Sequence, residues 1–305
     1  MTPLPTVRRQ KIAVIGSGVS ALSCAWLLAS RHEVTVYEKA DRLGGHSNTV
    51  TARTPTGDIA VDTGFIVFND VTYPNLVALF DHLKIESRAT DMSFAVSMDR
   101  GDFEYAAPAL FAQLRNIVRP RFWSMLAEVL RFYRQAPRDL SGLTDGDLTL
   151  GGYLMREGYS DAFRDDHLLP MAAAIWSSPA STLLDYPARA FIRFCDNHGL
   201  LRLTNRPVWR TVVGGSRVYV EALALRIADR ARLAREVVSV RRTDDGVIVT
   251  DRSGVAERFD QVVIGAHGDQ ALAMLEQPTA EERRVLGALH YSRNLTVLHT
   301  DARLL

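Results

Sequence analysis

Residues 11–38 constrain the fold more than any other stretch of this 305-residue chain. "KIAVI" at 11–15 is a short β-branched run without polar alternation, the pattern of a strand covered on both faces. "GSGVSA" follows without a spacer, and "ALSCAWLLAS" overlaps it with apolar residues at helical spacing. After Arg31 and His32, "EVTVY" reads as a second strand, with Glu38 directly behind it. Strand, glycine turn, helix and strand make one βαβ unit, which commits the chain to a parallel sheet and an α/β fold.

The turn itself is G-x-G-x-x-A, and its spacing carries chemistry. Gly16 permits the tight turn, Gly18 lets backbone approach a diphosphate, and Ala21 is small enough for the helix to lie close to the strands. The intervening Ser17, Val19 and Ser20 belong to a helix start whose unpaired N–H groups suit phosphate. Glu38, twenty residues beyond Gly18, is placed for ribose hydroxyls, with Lys39 beside it. The expected ligand is a dinucleotide.

The continuation "YEKADRLGGHSNT" decides which dinucleotide. It resembles the second fingerprint of the flavin-containing amine oxidoreductase superfamily, E-x-x-x-R-x-G-G, here Glu38, Arg42, Gly44 and Gly45. The resemblance implies FAD as cofactor, with the glycine pair carrying the chain past the diphosphate. That superfamily usually has arginine after the pair, where this chain has His46. "VDTGFIVFN" at 61–69 is similar to the segment that re-enters near the flavin ring, which implicates Gly64 and Phe65. Later, "WRTVVGGSRVYVEALALRIADR" pairs Gly214 and Gly215 with an amphipathic helix. It is followed by an alternating block with an Asp244-Asp245-Gly246 hairpin turn and by the apolar strand "QVVIGA". By resemblance, backbone near Val238 meets the adenine, and Ala266 lies at the cofactor.

The resemblance implies a Rossmann-like FAD/NAD(P)-binding domain split in sequence, 11–70 with 205–275, behind a disordered 1–10. Residues 71–204 and 276–305 form a mostly helical, amine-oxidase-like substrate or lid domain. The helical patterns "TYPNLVALFDHL", "PRFWSMLAEVLRFYRQ", "TLGGYLMREG" and "SDAFRDDHLLPMAAAIW" agree, with a hairpin in "SFAVSMDRGDFEY". Runs such as "LLPMAAAIWSSP" and "RPVWRTVVGGSR" are similar to a bacterial subgroup of NAD/FAD-binding oxidoreductases often encoded beside cyclopropane-fatty-acid-synthase-like enzymes. The implied function is hydride transfer from a small apolar, fatty-acyl or lipid-like substrate to flavin. His167, Trp176, Asp196, Asn197 and His198 are candidate contacts in the substrate domain, although polar residues between apolar helices more often satisfy their neighbours.

Two features pull the other way. Many amine oxidases have a lysine–water contact to the flavin, yet no lysine follows Lys84, so no catalytic acid or base is assigned. Members also run well past 305 residues and close the flavin site with a C-terminal glycine-rich segment, whereas this sequence ends at "NLTVLHTDARLL", read as a strand and a connection. The alternative reading is a non-catalytic nucleotide-binding module or truncated partner subunit.

Composition narrows the rest. Formal net charge is +1, which argues against nucleic-acid binding, and 47% hydrophobic content is ample for packed cores. Cys24 and Cys195 show neither metal nor redox spacing, which fits packed thiols and, with no signal core after Arg9, a cytoplasmic location. Residues 114–134 hold Arg115, Arg119, Arg121, Arg131 and Arg134 among apolar residues. A lid helix with a solvated basic face is the preferred reading, because Pro120 interrupts the segment; peripheral membrane contact is the other.

Overall fold

The computed structural model describes residues 8–107, 109–144, 146, 148–176, 180–291, 293 and 297–301. Strand β1 (Lys11–Ile15), helix α1 (Val19–Leu28) and strand β2 (Glu33–Tyr37) follow one another as the sequence predicts. β1 lies at the centre of a four-stranded sheet in the order Gln261–Ile264, β1, β2, Ala231–Arg232. All three pairings are parallel, with Val14 in register with Val263 and Val36. The sheet therefore joins residues more than two hundred positions apart.

Alternation explains why β1 is apolar from Ile12 to Ile15. Ile12, Val14, Val34 and Val36 point into a core with Leu22 and Trp26 of α1 and with Tyr219 and Leu223 of the helix Arg217–Ala224. Ala13, Ile15 and Tyr37 point the opposite way, against Val240, Val249 and Phe259 of a three-stranded antiparallel sheet. Both faces are covered, which accounts for the apolar residues at all four positions from Ile12 to Ile15. The Asp244-Asp245 turn closes the expected hairpin, with Thr243 opposite Gly246.

A second core lies in the helical region. The helix Pro120–Asp139 starts with proline at its first position and buries Phe122, Met125, Val129, Phe132 and Ala136, a stripe of helical period. It packs with Phe163, Phe191 and Ile192 and with the hairpin strands Phe94–Met98 and Phe103–Ala107. Helix α2 (Pro74–Leu83) packs elsewhere: its Phe80 joins the core of the parallel sheet.

Four arginines of the basic stretch have partners inside the chain. Arg115 and Arg119 reach Asp102 at 2.6 and 2.8 Å, Arg121 chelates Asp166 at 2.6 and 2.8 Å, and Arg131 pairs with Glu128. Among the described residues no helix is long and apolar enough to cross a membrane. Cys24 and Cys195 are free thiols, and burial pushes the Cys195 thiol up to about 12. Of the strand expected near the end, residues 294–296 and 302–305 lie outside the described residues, and 297–301 pair with no strand among the described residues.

Candidate functional site

The two glycine turns touch. The Gly44 amide donates to the Ser17 carbonyl oxygen at 3.0 Å, and Gly18 and Gly44 form a parallel bridge. Gly44 and Gly45 both have positive φ, +110° and +56°, which is why glycine occupies both positions. A Cβ on Gly45 would sit 3.0 Å from the Gly18 Cα. The loop after β2 is thereby laid directly over the turn after β1.

Gly16 and Gly18 need to be glycine for different reasons. Gly16 has φ +95°, and a Cβ there would stand 2.7 Å from the Gly265 carbonyl oxygen. Gly18 has φ −60°, and nothing lies within 4 Å of its Cβ position. The polypeptide gives no reason for glycine at 18; the open space over the start of α1 does. Gly18 caps that helix without a side-chain hydrogen bond, and the first turn carries no acid to compete with an anion.

Glu38 is buried beside the same turn. Its carboxylate accepts from Ser17 Oγ at 2.5 Å and from the Ala40 amide at 2.8 Å. Each oxygen keeps lone-pair capacity for another donor. Val238 enters from the antiparallel sheet at a register shift between Val237 and Ser239, and the bulge leaves it 41% exposed.

These groups enclose a cleft of about 520 Å³. Of the sequence-predicted residues, Gly16, Ser17, Gly18, Glu38, Lys39, Gly45, His46, Val238 and Ala266 line it. Val19, Ser20, Ala21, Arg42, Gly44, Gly64 and Phe65 do not. Ala21 is buried against Gly265, where a Cβ would lie 2.5 Å from the Ala21 Cβ, so its small size serves helix–strand contact. Arg42 donates to the Leu43 and Gly45 carbonyls and shapes its own loop. Gly64 is small because a Cβ would fall 2.1 Å from the His46 carbonyl oxygen, which also accepts from the Phe65 amide at 3.0 Å. The 64–65 segment thus buttresses His46 from behind.

Sequence reasoning missed Tyr37, Arg235, Glu236, His267 and Gln270, which also line the cleft. Burial outweighs the nearby Arg232 charge and raises the Tyr37 hydroxyl to about 12. His267 was findable: it follows Gly265 and Ala266 at the end of a strand, the arrangement of the first turn.

A second cavity, of about 600 Å³, lies beside the strand Arg210–Val212. Arg88, Met92, His198, Arg206, Val208 and Trp209 are among its lining residues. The His198 ring is stacked between Phe194 and Trp209, with centroids 4.0 and 6.3 Å away. Arg210 exchanges backbone hydrogen bonds with Phe68 at 2.8 and 3.0 Å, which ties this wall to the 64–69 segment. Asp196 and Asn197 do not line the cavity. Trp176 packs on Phe194, and His167 is buried in the helical core.

A parallel sheet with two interlocked glycine turns defines the class of an α/β dinucleotide-binding protein. The family is specific: residues 19–301 match the flavin containing amine oxidoreductase model, and the chain belongs to that family. Its cofactor is FAD. No curated protein matches the chain. Solved structures agree on the fold. A putrescine oxidase bound to putrescine is 16% identical with a TM-score of 0.66, and cyclohexylamine oxidase from Brevibacterium oxydans is 17% identical with the same score. In both cases the match covers 92% of this chain and 63% of the other. A CLA-producing fatty acid isomerase from P. acnes is 16% identical at a TM-score of 0.57, covering 91% of this chain and 63% of that one. The chain thus spans less than two thirds of the length of these relatives.

Proposed function

We propose that this chain is an FAD-dependent oxidoreductase acting on an apolar substrate with an anionic end, of fatty-acyl type. The observation that carries the cofactor half is the open space over Gly18, walled by Gly45 and Glu38. In this reading the α1 amides hold the diphosphate, Glu38 accepts from ribose hydroxyls, and Val238 covers the adenine face. Bound FAD supplies a two-electron acceptor for hydride. The chain's own residues supply binding, orientation and exclusion of water.

The substrate half rests on the cavity beside Trp209. Met92, Leu200, Val208 and Trp209 give it apolar walls, and Arg88 and Arg206 outnumber Asp91. A cationic amine would meet repulsion there, whereas a carboxylate would find two guanidinium groups. The fatty acid isomerase among the similar folds is compatible with this reading.

The test begins with the visible spectrum of the purified chain and identification of any ligand released by denaturation. The flavin-loaded protein is then mixed anaerobically with a long-chain fatty acid and, separately, with putrescine. Bleaching by the fatty acid alone supports the proposal. Bleaching by putrescine alone overturns the substrate class, and loaded flavin bleached by neither overturns the oxidoreductase reading.

A further inference from the structure

The helix Pro120–Asp139 buries one stripe, but the opposite stripe is not the uniformly polar face of a solvated lid helix. Trp123, Ala127, Leu130, Arg134 and Arg138 follow one another along it at helical spacing, and all five are exposed. Pro120 opens the helix rather than breaking it, so the short helical turn Leu114–Val118 continues the apolar part beyond the helix start. Leu114 is 76%, Val118 81% and Trp123 48% exposed, with Phe111 and Ile117 exposed beside them. Phe111 and Trp123 pack with ring centroids 5.7 Å apart, and Trp123 Nε1 donates to the Ile117 carbonyl at 2.8 Å. The indole N–H is therefore already satisfied, and contact with hydrocarbon costs it no hydrogen bond.

The charge beside this patch has one sign. Residues 109–138 hold Arg115, Arg119, Arg121, Arg131, Arg134 and Arg138 against Glu128 alone, in a chain whose formal net charge is +1. The nearby acids are turned inward. Glu128 accepts from Arg131 at 3.3 Å and from the Ser160 amide and hydroxyl at 2.9 and 2.6 Å, and Asp139 accepts from the Tyr153 hydroxyl at 2.7 Å. Arg134 and Arg138 have no acidic partner among the described residues. With Arg131, Gln135 and Asp139 they border a hollow of about 440 Å³, which Ala127 joins to the apolar stripe.

We propose that this face docks on an anionic bilayer: Leu114, Val118, Trp123 and Leu130 enter the acyl boundary, and lipid phosphates occupy the hollow at Arg131, Arg134 and Arg138. Arginine stems lie along apolar surface while their guanidinium groups stay at headgroup depth, where they bind phosphate in bidentate fashion. Charge selects this occupant. An isologous second copy offers the same stripe, with no acid for Arg134 or Arg138, whereas anionic lipid supplies hydrocarbon and phosphate together. The contact is peripheral, since no helix among the described residues is long and apolar enough to cross. Docking of this kind requires neither the flavin nor the substrate reading.

The experiment mixes the full chain with vesicles of phosphatidylcholine, alone or with phosphatidylglycerol, and reads co-sedimentation and tryptophan quenching by brominated acyl chains. Binding to the mixed vesicles should be about tenfold or more tighter than to the neutral ones and should weaken with added salt. The double variant Leu114→Gln/Val118→Gln should weaken it roughly tenfold, and Arg134→Gln/Arg138→Gln should remove a similar factor from the anionic preference alone. All four positions are exposed, so the fold is kept. Trp123→Phe should keep the binding and lose most of the quenching, because Trp26, Trp176 and Trp209 lie in other parts of the fold. Absence of binding to anionic vesicles at low salt overturns the proposal. Binding that the apolar variant leaves unchanged, or quenching that survives Trp123→Phe, overturns it too, because the contact then lies elsewhere. Sedimentation velocity tests for the second copy: a dimer that Leu114→Gln/Val118→Gln dissociates assigns this face to self-association instead.

Discussion

Gly18 and Gly44 lie side by side as a parallel bridge, although twenty-six positions separate them in the chain. The pairing closes the loop after β2 onto the helix start after β1, so glycines of both motifs line one cleft. It also separates two kinds of glycine by experiment. Gly18→Leu introduces a side chain into open space and should leave the melting temperature nearly unchanged while abolishing flavin retention. Gly16→Ala places a methyl 2.7 Å from the Gly265 carbonyl oxygen at φ +95° and should cost about 1–3 kcal/mol of stability. Denaturant unfolding together with bound flavin per chain reads both. Full flavin retention in Gly18→Leu would put the diphosphate somewhere else.

Glu38→Gln keeps the shape of the side chain and removes its charge. Hydrogen bonds to a charged acceptor contribute about 1.5–3 kcal/mol, so FAD affinity should fall roughly 10- to 100-fold. The Ala40 amide can keep an oxygen to donate to, while the Ser17 hydroxyl, which faces the other carboxylate oxygen, must turn from donor to acceptor of the new NH2, so folding should change by no more than about 1 kcal/mol. Fluorescence titration with FAD gives the affinity. An unchanged value would mean that Glu38 serves the loop alone.

The Rossmann core was legible because its evidence is local. Strand, turn, helix and acid fall within residues 11–38, and the two-sided burial of β1 follows directly from its unbroken apolar run. The contacts that finish the site are not local. His267 meets His46 across more than two hundred residues, and no spacing rule links them. Val238 reaches the cleft through a shift in strand register, which only paired strands reveal. Gly64 illustrates a subtler limit: its smallness was legible, but the neighbour that demands it, the His46 carbonyl, was not. The same holds for Gly214 and Gly215, read as a motif. Asp62 binds the Ser216 amide at 2.9 and 3.0 Å and accepts from Thr49 at 2.6 Å, knitting that turn to the strands Thr49–Thr54 and Gly57–Asp62.

Glu257 links the parallel and antiparallel sheets, and its charge state sets acid sensitivity. It accepts from Lys11 at 2.7 Å and from Arg232 at 2.5 Å, next to the Tyr37 hydroxyl. Burial raises its pKa, but the bonds from Arg232 and Lys11 prevail and hold it at about 2. A depressed carboxylate contributes stability above its unfolded value of about 4.5, and the contribution is lost as pH falls toward 2. Glu257→Gln should therefore cost on the order of 2 kcal/mol at pH 7 and progressively less below pH 4.5. Urea unfolding at pH 7, 4 and 3 measures the difference. A gap that does not shrink in acid would show that packing, not charge, is what Glu257 supplies.

His167 sits in a five-residue π-turn, Arg164–Leu168, inside the helical core. The Tyr105 hydroxyl donates to the Asp166 carbonyl at 2.8 Å, so it accepts from His167 Nδ1 at 2.9 Å. That places the proton on Nδ1 and leaves Nε2 as a buried acceptor with no partner among the described residues. Burial lowers the imidazole pKa to about 4. Between an unfolded value near 6.5 and the folded value near 4, the unfolded chain binds the proton and the folded chain does not. Stability should thus decline as pH falls through this window, by on the order of 2–3 kcal/mol from this residue alone. His167→Phe removes the titrating group and retains an aromatic ring among Phe94, Tyr105 and Phe163. It should give up about 1 kcal/mol at pH 7 for the lost Tyr105 bond and then gain on wild type as pH drops. Parallel unfolding curves at pH 7, 6 and 5 decide the matter, because a variant that tracks wild type through the whole range would mean that His167 takes up its proton equally readily in the folded and the unfolded chain.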